Sequence, residues 1–264
     1  MSTGNTAEQW GRLWSGAPKR LKELRFSVEK AERSFTWSSV AEALGKVEYG
    51  SLSTAELGAG SGTISAVFAR HGARVTVLDY SQEALDTSSA LFGELGLAQE
   101  SILADALSLP ESLVGQFDVA MSFGLAEHFE GNDRGRIIKA HFDLLRPGGL
   151  AVISVPNRHC WPYRLWKARR ELLGKWQFGL EKPFSRGEIA QICQEVGVTD
   201  FEIAGSPFMA SLEFLIPVAR WKRSLEKRML KDKRFDPQRI SPERKGTLGA
   251  YLGYALVLIA RKPV

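Results

Sequence analysis

Three acidic residues and a glycine run hold the chemistry most legible in this chain. Glu56 precedes Gly58, Gly60 and Gly62. Missing side chains there let a ligand lie against the backbone at a helix start, where unpaired N–H groups favour polar or anionic atoms. Asp79 follows Gly58 by 21 residues, at a place where a carboxylate can accept both hydroxyls of a ribose. Asp105, in Ala104-Asp105-Ala106, is placed to accept a hydrogen bond from an adenine amine. Together these groups outline a ligand shaped like adenosine. The dinucleotide fingerprint G-x-G-x-x-G does not fit, because its last glycine, counted from Gly58, falls on Thr63.

Such residues converge only if strands end on them. Residues 52–57 predict a short strand running into the glycines, and residues 63–70 a helix stopped by His71-Gly72. Residues 73–78 predict a buried strand ending on Asp79, with Ser81 as N-cap of a helix that Gly96 stops. Further strands are expected at 101–104, 117–122 and 150–155. A helix over 133–145 ends before Arg146-Pro147-Gly148-Gly149, read as a tight turn. Strands alternating with helices of this length imply a parallel, doubly wound α/β sheet, which binds ligands beyond the carboxyl ends of its strands. Residues 7–45 read as helical, 185–196 as a helix, 200–204 and 250–260 as strands, and 207–246 as an insertion.

The chain has 264 residues, 44% apolar and 25% charged, the balance of a globular domain rather than a fibrous or disordered chain. No apolar run approaches the 18 residues of a membrane span, and no basic-then-apolar leader opens the sequence, so a cytoplasmic location is expected. Cys160 and Cys193 lack metal-ligand spacing, in keeping with a reducing compartment. The net charge of +5 is unevenly spread. Residues 158–187 and 220–234 each carry eight Lys/Arg against two Asp/Glu. Two basic segments on an acidic body suit an anionic substrate, a membrane surface or nucleic acid, or are simply solvated helix faces.

In motif order the sequence resembles the class I S-adenosylmethionine-dependent methyltransferases. Ala55-Glu56-Leu57-Gly58-Ala59-Gly60-Ser61-Gly62 is similar to their first motif, Val77-Leu78-Asp79-Tyr80-Ser81 to the second, and Ala104-Asp105-Ala106-Leu107-Ser108-Leu109-Pro110 to their acidic motif after the third strand. Phe117-Asp118-Val119-Ala120 with Glu127-His128-Phe129, then Leu145-Arg146-Pro147-Gly148-Gly149, complete the order. The resemblance covers residues 50–157, and the strand near 250–260 more loosely. It implies a Rossmann-like seven-stranded sheet with the last strand antiparallel, plus a helical N-terminal segment and a cap insertion. The corresponding division is a helical N-terminal lid over 1–49 and a methyltransferase core over 50–264, with cap elements at 158–184 and 207–246. The implied cofactor is S-adenosyl-L-methionine. Its methionine part would lie beside Glu56, Gly58, Ala59, Gly60 and Gly62, its ribose on Asp79, its adenosine along Tyr80 and its adenine against Asp105 and Ala106. Phe123, Gly124 and His128 would pass beneath the sulfonium.

A sulfonium already carries its leaving group, so catalysis can rest on alignment and exclusion of water, with a general base optional. The base candidates are His128, which is favoured, with Glu127 and His159. Ser122-Phe123-Gly124-Leu125 is not the Asn/Asp-Pro-Pro-aromatic tetrad of enzymes acting on DNA amines, and neither cysteine is placed as a cytosine-directed nucleophile. A small-molecule acceptor is therefore expected and nucleic acid is not. No metal is expected, Asp133 beside Asn132 being the nearest approach to a carboxylate cluster.

Residues 161–178 interleave Trp161, Tyr163, Leu165, Trp166, Leu172, Leu173, Trp176 and Phe178 with Arg164, Lys167, Arg170 and Lys175. At helical spacing this reads either as a lid helix packed on the sheet or as an apolar acceptor pocket with a basic rim, suited to an apolar or anionic molecule. Within the family the chain looks most similar to the quinone-biosynthesis-like and natural-product branches, which favours an oxygen acceptor over nitrogen or carbon. Trp10 and Trp14 are read equally as a lid or as core. Residues 208–221 leave peripheral membrane contact open. A non-catalytic S-adenosylmethionine-binding protein and a nicotinamide-dependent oxidoreductase are the competing readings.

Overall fold

A computed structural model of the chain describes residues 5–15, 21–215 and 251–264. The strands are β1 Ser53–Leu57, β2 Arg74–Asp79, β3 Glu100–Leu103, β4 Phe117–Phe123, β5 Leu145–Pro156, β6 Phe201–Gly205 and β7 Ala255–Arg261. They form one sheet in the order β3-β2-β1-β4-β5-β7-β6, parallel except that β7 runs antiparallel to both β5 and β6. The chain steps outward from β1 to β3, then returns to β4 beside β1. A reversal of this kind opens a crevice at the carboxyl ends of β1 and β4.

Side chains alternate between two buried faces, which is why the central strands read as nearly continuous apolar runs. On β5, Ala151, Ile153 and Val155 belong to one cluster, with Ile137, Ile138 and Ile189, while Leu150 and Val152 belong to the other, with Val28, Val67 and Phe68. The helices supplying these layers are α1 Ala7–Trp14, α2 Leu21–Ala31, α3 Phe35–Leu44, α4 Thr63–Arg70, α5 Gln82–Leu95, α6 Asp133–Leu144, α7 Trp161–Leu172, α8 Arg186–Glu195 and the short α9 Phe208–Ser211. Their ends obey local rules. The Ser81 hydroxyl accepts the Ala84 N–H at the start of α5, and Gly96 ends that helix in the left-handed region.

Several boundaries depart from the sequence expectation. The helical stretch over 7–45 is three helices, of which α3 is separately capped by Ser34; residues 16–20 lie outside the described residues. Arg146-Pro147-Gly148-Gly149 is no free turn but the irregular start of β5. Phe117 pairs with Leu145 and Val119 with Leu150, so the extra residues bulge out of β5. Gly148, at φ +76°, allows the bulge, and the tail after β7 ties it down through Gly148 N–H to Lys262 O and Lys262 N–H to Gly149 O. The α7 helix stops at Leu172 instead of continuing to 178. Most of the insertion expected at 207–246 lies outside the described residues; within them it begins with α9 and a 3-10 turn, Leu212–Leu215. Among the described residues, no helix is long and apolar enough to cross a membrane.

Candidate active site

A cavity of about 820 Å³ opens at the strand ends, at the upper end of the size range of small-molecule sites. Its floor at one end is the loop after β1. Glu56 is buried there, and its Oε2 accepts both the N–H and the hydroxyl of Ser65 in α4. Burial is the main reason its carboxyl is pushed up to about 7, against the lowering effect of Ser65. Gly58 and Gly60 both have positive φ. A Cβ on Gly58 would strike the Leu125 side chain at 2.6 Å, and one on Gly60 the Trp14 indole at 2.4 Å. The loop is thus glycine for its backbone angles and also because other groups lie directly on it.

Asp79, at the end of β2, is 6% exposed. Its Oδ2 accepts the Gly60 N–H at 2.9 Å and its Oδ1 the Ser81 N–H at 3.0 Å. Each oxygen keeps a lone pair for a further donor. Burial raises its pKa despite those donors. Tyr80 beside it lines the cavity, and its phenol is pushed up by burial and by the Asp79 and Asp105 charges. Asp105 and Ala106 complete this end; Asp105 Oδ1 accepts the Leu107 N–H.

The far end is built after β4. Phe123 and Gly124 lead into a 3-10 turn, Ala126–His128. Glu127 is 3% exposed and its Oε2 has no hydrogen-bond partner among the described residues. Burial, with the nearby Glu181 charge, pushes its carboxyl up to about 8, against the lowering pull of Arg134 and Lys167. His128 Nδ1 bonds the Leu180 carbonyl at 2.6 Å, so that nitrogen carries the hydrogen, and burial holds the ring's pKa below the ordinary value. Opposite stand Tyr163 and Trp166 of α7, Trp176 and Phe178 beyond it, Phe214, and Tyr254 before β7. Tyr163 donates to Glu181 Oε1 at 2.6 Å.

The N-terminal segment crosses the opening. Asn5 Nδ2 donates to the carbonyls of His128 and Leu180, Trp10 packs edge-on against His128 at 4.9 Å, and Trp10 and Trp14 both line the cavity.

Two expected site residues stand apart from this wall. Gly62 is the N-cap of α4 at φ +64°, and a Cβ there would meet Ser88, not the cavity. His159 is exposed in the turn before α7, where its N–H bonds Asn157 Oδ1. Of the cations between those aromatics, Arg164, Lys167, Arg170 and Lys175 are all absent from the described residues lining the wall. Conversely, Glu181, Tyr254 and Asn5 went unread in the sequence. Glu181 left a trace, being one of two acids among the cations of 158–187; Tyr254 and Asn5 left none. Among the described residues there is no cluster that could hold a metal ion, and residues 216–221 of the apolar stretch at 208–221 lie outside them.

Residues 55–149 match the family described as "Methyltransferase domain". Among curated proteins, the chain is 30% identical over 132 residues to a ubiquinone biosynthesis O-methyltransferase of Caulobacter sp. (strain K31), an alignment covering 50% of this chain and 52% of that protein. It is 29% identical over 173 residues to the protein of the same name from Caulobacter vibrioides, covering 64% and 66% respectively. The chain thus spans about half to two thirds of the relatives it matches. Among solved structures, a possible histamine N-methyltransferase from Thermotoga maritima superposes with a TM-score of 0.59 at 14% identity, covering 97% of this chain and 100% of that one. Magnesium protoporphyrin IX methyltransferase from Synechocystis PCC 6803 gives 0.55 at 12%, covering 89% and 85%. Residues 55–149 thus match a methyltransferase domain, and in motifs and sheet order the chain is similar to the class I S-adenosylmethionine-dependent methyltransferases, whose cofactor is S-adenosylmethionine. The residues present fit that cofactor, since the crevice supplies buried carboxylates with spare acceptors, a side-chain-free loop and aromatic walls.

Proposed function

We propose that this protein transfers a methyl group from S-adenosylmethionine to a small molecule. The observation that carries the reading is Asp79, buried beside the glycine loop at the mouth of a cavity that continues without a partition to the aromatic chamber. Glu56, Gly58, Ala59 and Gly60 would receive the methionine part, Asp79 the ribose, Tyr80 the adenosine, Asp105 and Ala106 the adenine. Phe123, Gly124 and His128 would face the sulfonium. The cofactor brings both the methyl group and its leaving group. The chain's task is to align the acceptor, exclude water beneath Trp10 and Trp14, and take up a proton at Glu127 or His128 where the acceptor has one to lose. Gly62 serves the helix start and His159 no longer stands among the bases.

Titration calorimetry with S-adenosylhomocysteine and with NADH tests the cofactor assignment. The first should bind in the micromolar range and the second should not; tight binding of NADH alone would reverse it. Turnover of labelled S-adenosylmethionine over phenols, alcohols, quinols and amines tests the transfer, and binding without any product would favour a sensor. The names of the Caulobacter relatives favour oxygen as the atom methylated, as does the sequence reading.

A further inference from the structure

We infer that the acceptor is an organic cation, a protonated amine received among the aromatic rings of the chamber that gives up its proton to Glu127. The inference rests on the methyltransferase reading and names a substrate class for it, with nitrogen as the methylated atom in place of the oxygen that the relatives' names favour.

The chamber is a run of rings in mutual contact. Tyr163 and Tyr254 lie 4.7 Å apart, Tyr254 and Phe214 4.9 Å, Phe214 and Trp166 5.4 Å, and Trp166 and Trp176 6.0 Å between centroids. Ring faces carry negative charge density and attract cations, most strongly where water is excluded. Two of these rings already hold cations of the chain itself, Lys167 at 4.8 Å from Trp176 and Arg170 at 5.3 Å from Trp166.

Glu127 is the independent second observation. To ionise, a carboxylate this deeply buried needs a partner, and among the described residues no cation bonds its Oε2. Arg134 pairs with Glu188 at 2.7 Å and donates to the Phe129 and Lys182 carbonyls; its Nη2 has no hydrogen-bond partner among the described residues, so its charge reaches Glu127 without a direct bond. Lys167 bonds the Glu181 carbonyl at 2.6 Å and lies 3.5 Å from its carboxylate, which also holds the Tyr163 hydroxyl. Oε2 of Glu127 has no hydrogen-bond partner among the described residues, and Glu127 lines the cavity. An ammonium group would supply both the charge and the N–H. A carboxylate or phenolate acceptor would bring a further anion beside Glu127 and Glu181, on a wall where the described lining residues include no lysine or arginine; a neutral hydroxyl would bring no charge to favour the ionised Glu127. The inference departs from the expectation of an apolar or anionic acceptor. His128 is the weaker base because Trp10 packs on its ring and Nδ1 is held by Leu180.

The step balances. The ammonium N–H proton passes to the Glu127 carboxylate, giving a neutral amine and a carboxylic acid. The nitrogen lone pair forms the N–C bond to the methyl carbon as the C–S bond breaks with its electrons going to sulfur. The products are an N-methylammonium ion and S-adenosylhomocysteine, and Glu127 returns its proton to solvent. Burial supports this role by lifting the proton affinity of Glu127 toward that of an amine.

The test uses the whole chain with S-adenosylhomocysteine added and three probes of one shape: choline, neutral 3,3-dimethylbutan-1-ol and anionic 3,3-dimethylbutyrate. Calorimetry should show choline binding at least tenfold more tightly than either, with Glu127→Gln and Trp176→Leu each reducing that preference at least fivefold while S-adenosylhomocysteine binds as before. Equal or better binding of the alcohol or the butyrate to the unaltered protein overturns the inference and leaves the methyltransferase reading standing. Failure of S-adenosylhomocysteine to bind overturns that reading instead. The three probes are then compared on the free protein, where a tenfold choline preference upholds a cation chamber and its absence removes it. Should either variant fail to fold, the choline-to-alcohol ratio of the unaltered protein decides.

Discussion

At the scale of single residues, the site is made of carboxylates that folding keeps out of water. Asp79 anchors the glycine loop and the start of α5 with its two oxygens while leaving acceptor capacity for a ligand. Asp79→Ala should weaken S-adenosylhomocysteine binding more than tenfold by calorimetry, since charged contacts of this kind are the strong ones; unchanged affinity would put the site elsewhere. Glu127 bears on stability through its proton. Its folded pKa of about 8 stands far above the ordinary carboxylate value, so between those pH values the folded chain binds more protons than the unfolded one. Its contribution therefore falls as pH rises across that window and stays low above it. Glu127→Gln should leave the melting temperature nearly unchanged at pH 4 and raise it by several degrees at pH 8.5, read from paired thermal melts. A gain of equal size at both pH values would mean that the carboxyl is not the source.

At the scale of elements, the N-terminal helix is held to the site more than to the core. Gly11 is the buried residue of α1, and a Cβ there would sit 2.7 Å from Glu83 Oε2 on α5. The Gly11→Val change should displace the Glu83 carboxylate from its place against α1 and loosen the seat of Trp14 on Gly60. We expect S-adenosylhomocysteine affinity to fall about fivefold or more, with the melting temperature moving by less than about 2 °C, because little apolar area is lost. A large loss of stability with intact affinity would make α1 a structural element. The strand-ending acids and the helix caps were legible because their rules are local, as at Ser81, Gly96 and Asp79. What escaped depends on partners distant in sequence. The bulge of β5 needs Lys262, and the truncation of α7 lets Trp176 and Phe178 turn into the cavity from outside the helix. An amphipathic pattern gives the apolar side of α7 but not the direction in which its cations face, so the sequence left a packed lid helix and a basic-rimmed pocket both open.

At the scale of the whole molecule, the sheet carries two jobs on one edge. The ends of β1, β2 and β4 hold the nucleoside-shaped crevice, and the chamber is closed by segments arriving from β5, α7 and the chain before β7. Asn157 joins those three. It is fully buried, its Nδ2 donates to the Tyr251 and Gly253 carbonyls at 2.7 and 2.9 Å, and its Oδ1 accepts the His159 N–H before α7. Its role as a junction was invisible in Val155-Pro156-Asn157, because the carbonyls its Nδ2 bonds lie 94 and 96 residues away. Replacing it with leucine leaves buried carbonyls unpaired, at a cost of about 2–4 kcal/mol, or roughly 5–12 °C in melting temperature for a chain of this size. The damage should fall on one job only. Tyr254 and α7 would lose their mutual placement, so choline binding should weaken at least tenfold in Asn157→Leu, whereas S-adenosylhomocysteine, held by strands that Asn157 does not touch, should bind within twofold of the unaltered protein. If both affinities fell together, crevice and chamber would be one cooperative unit, and the division of the sheet edge into two independently supported halves would be wrong.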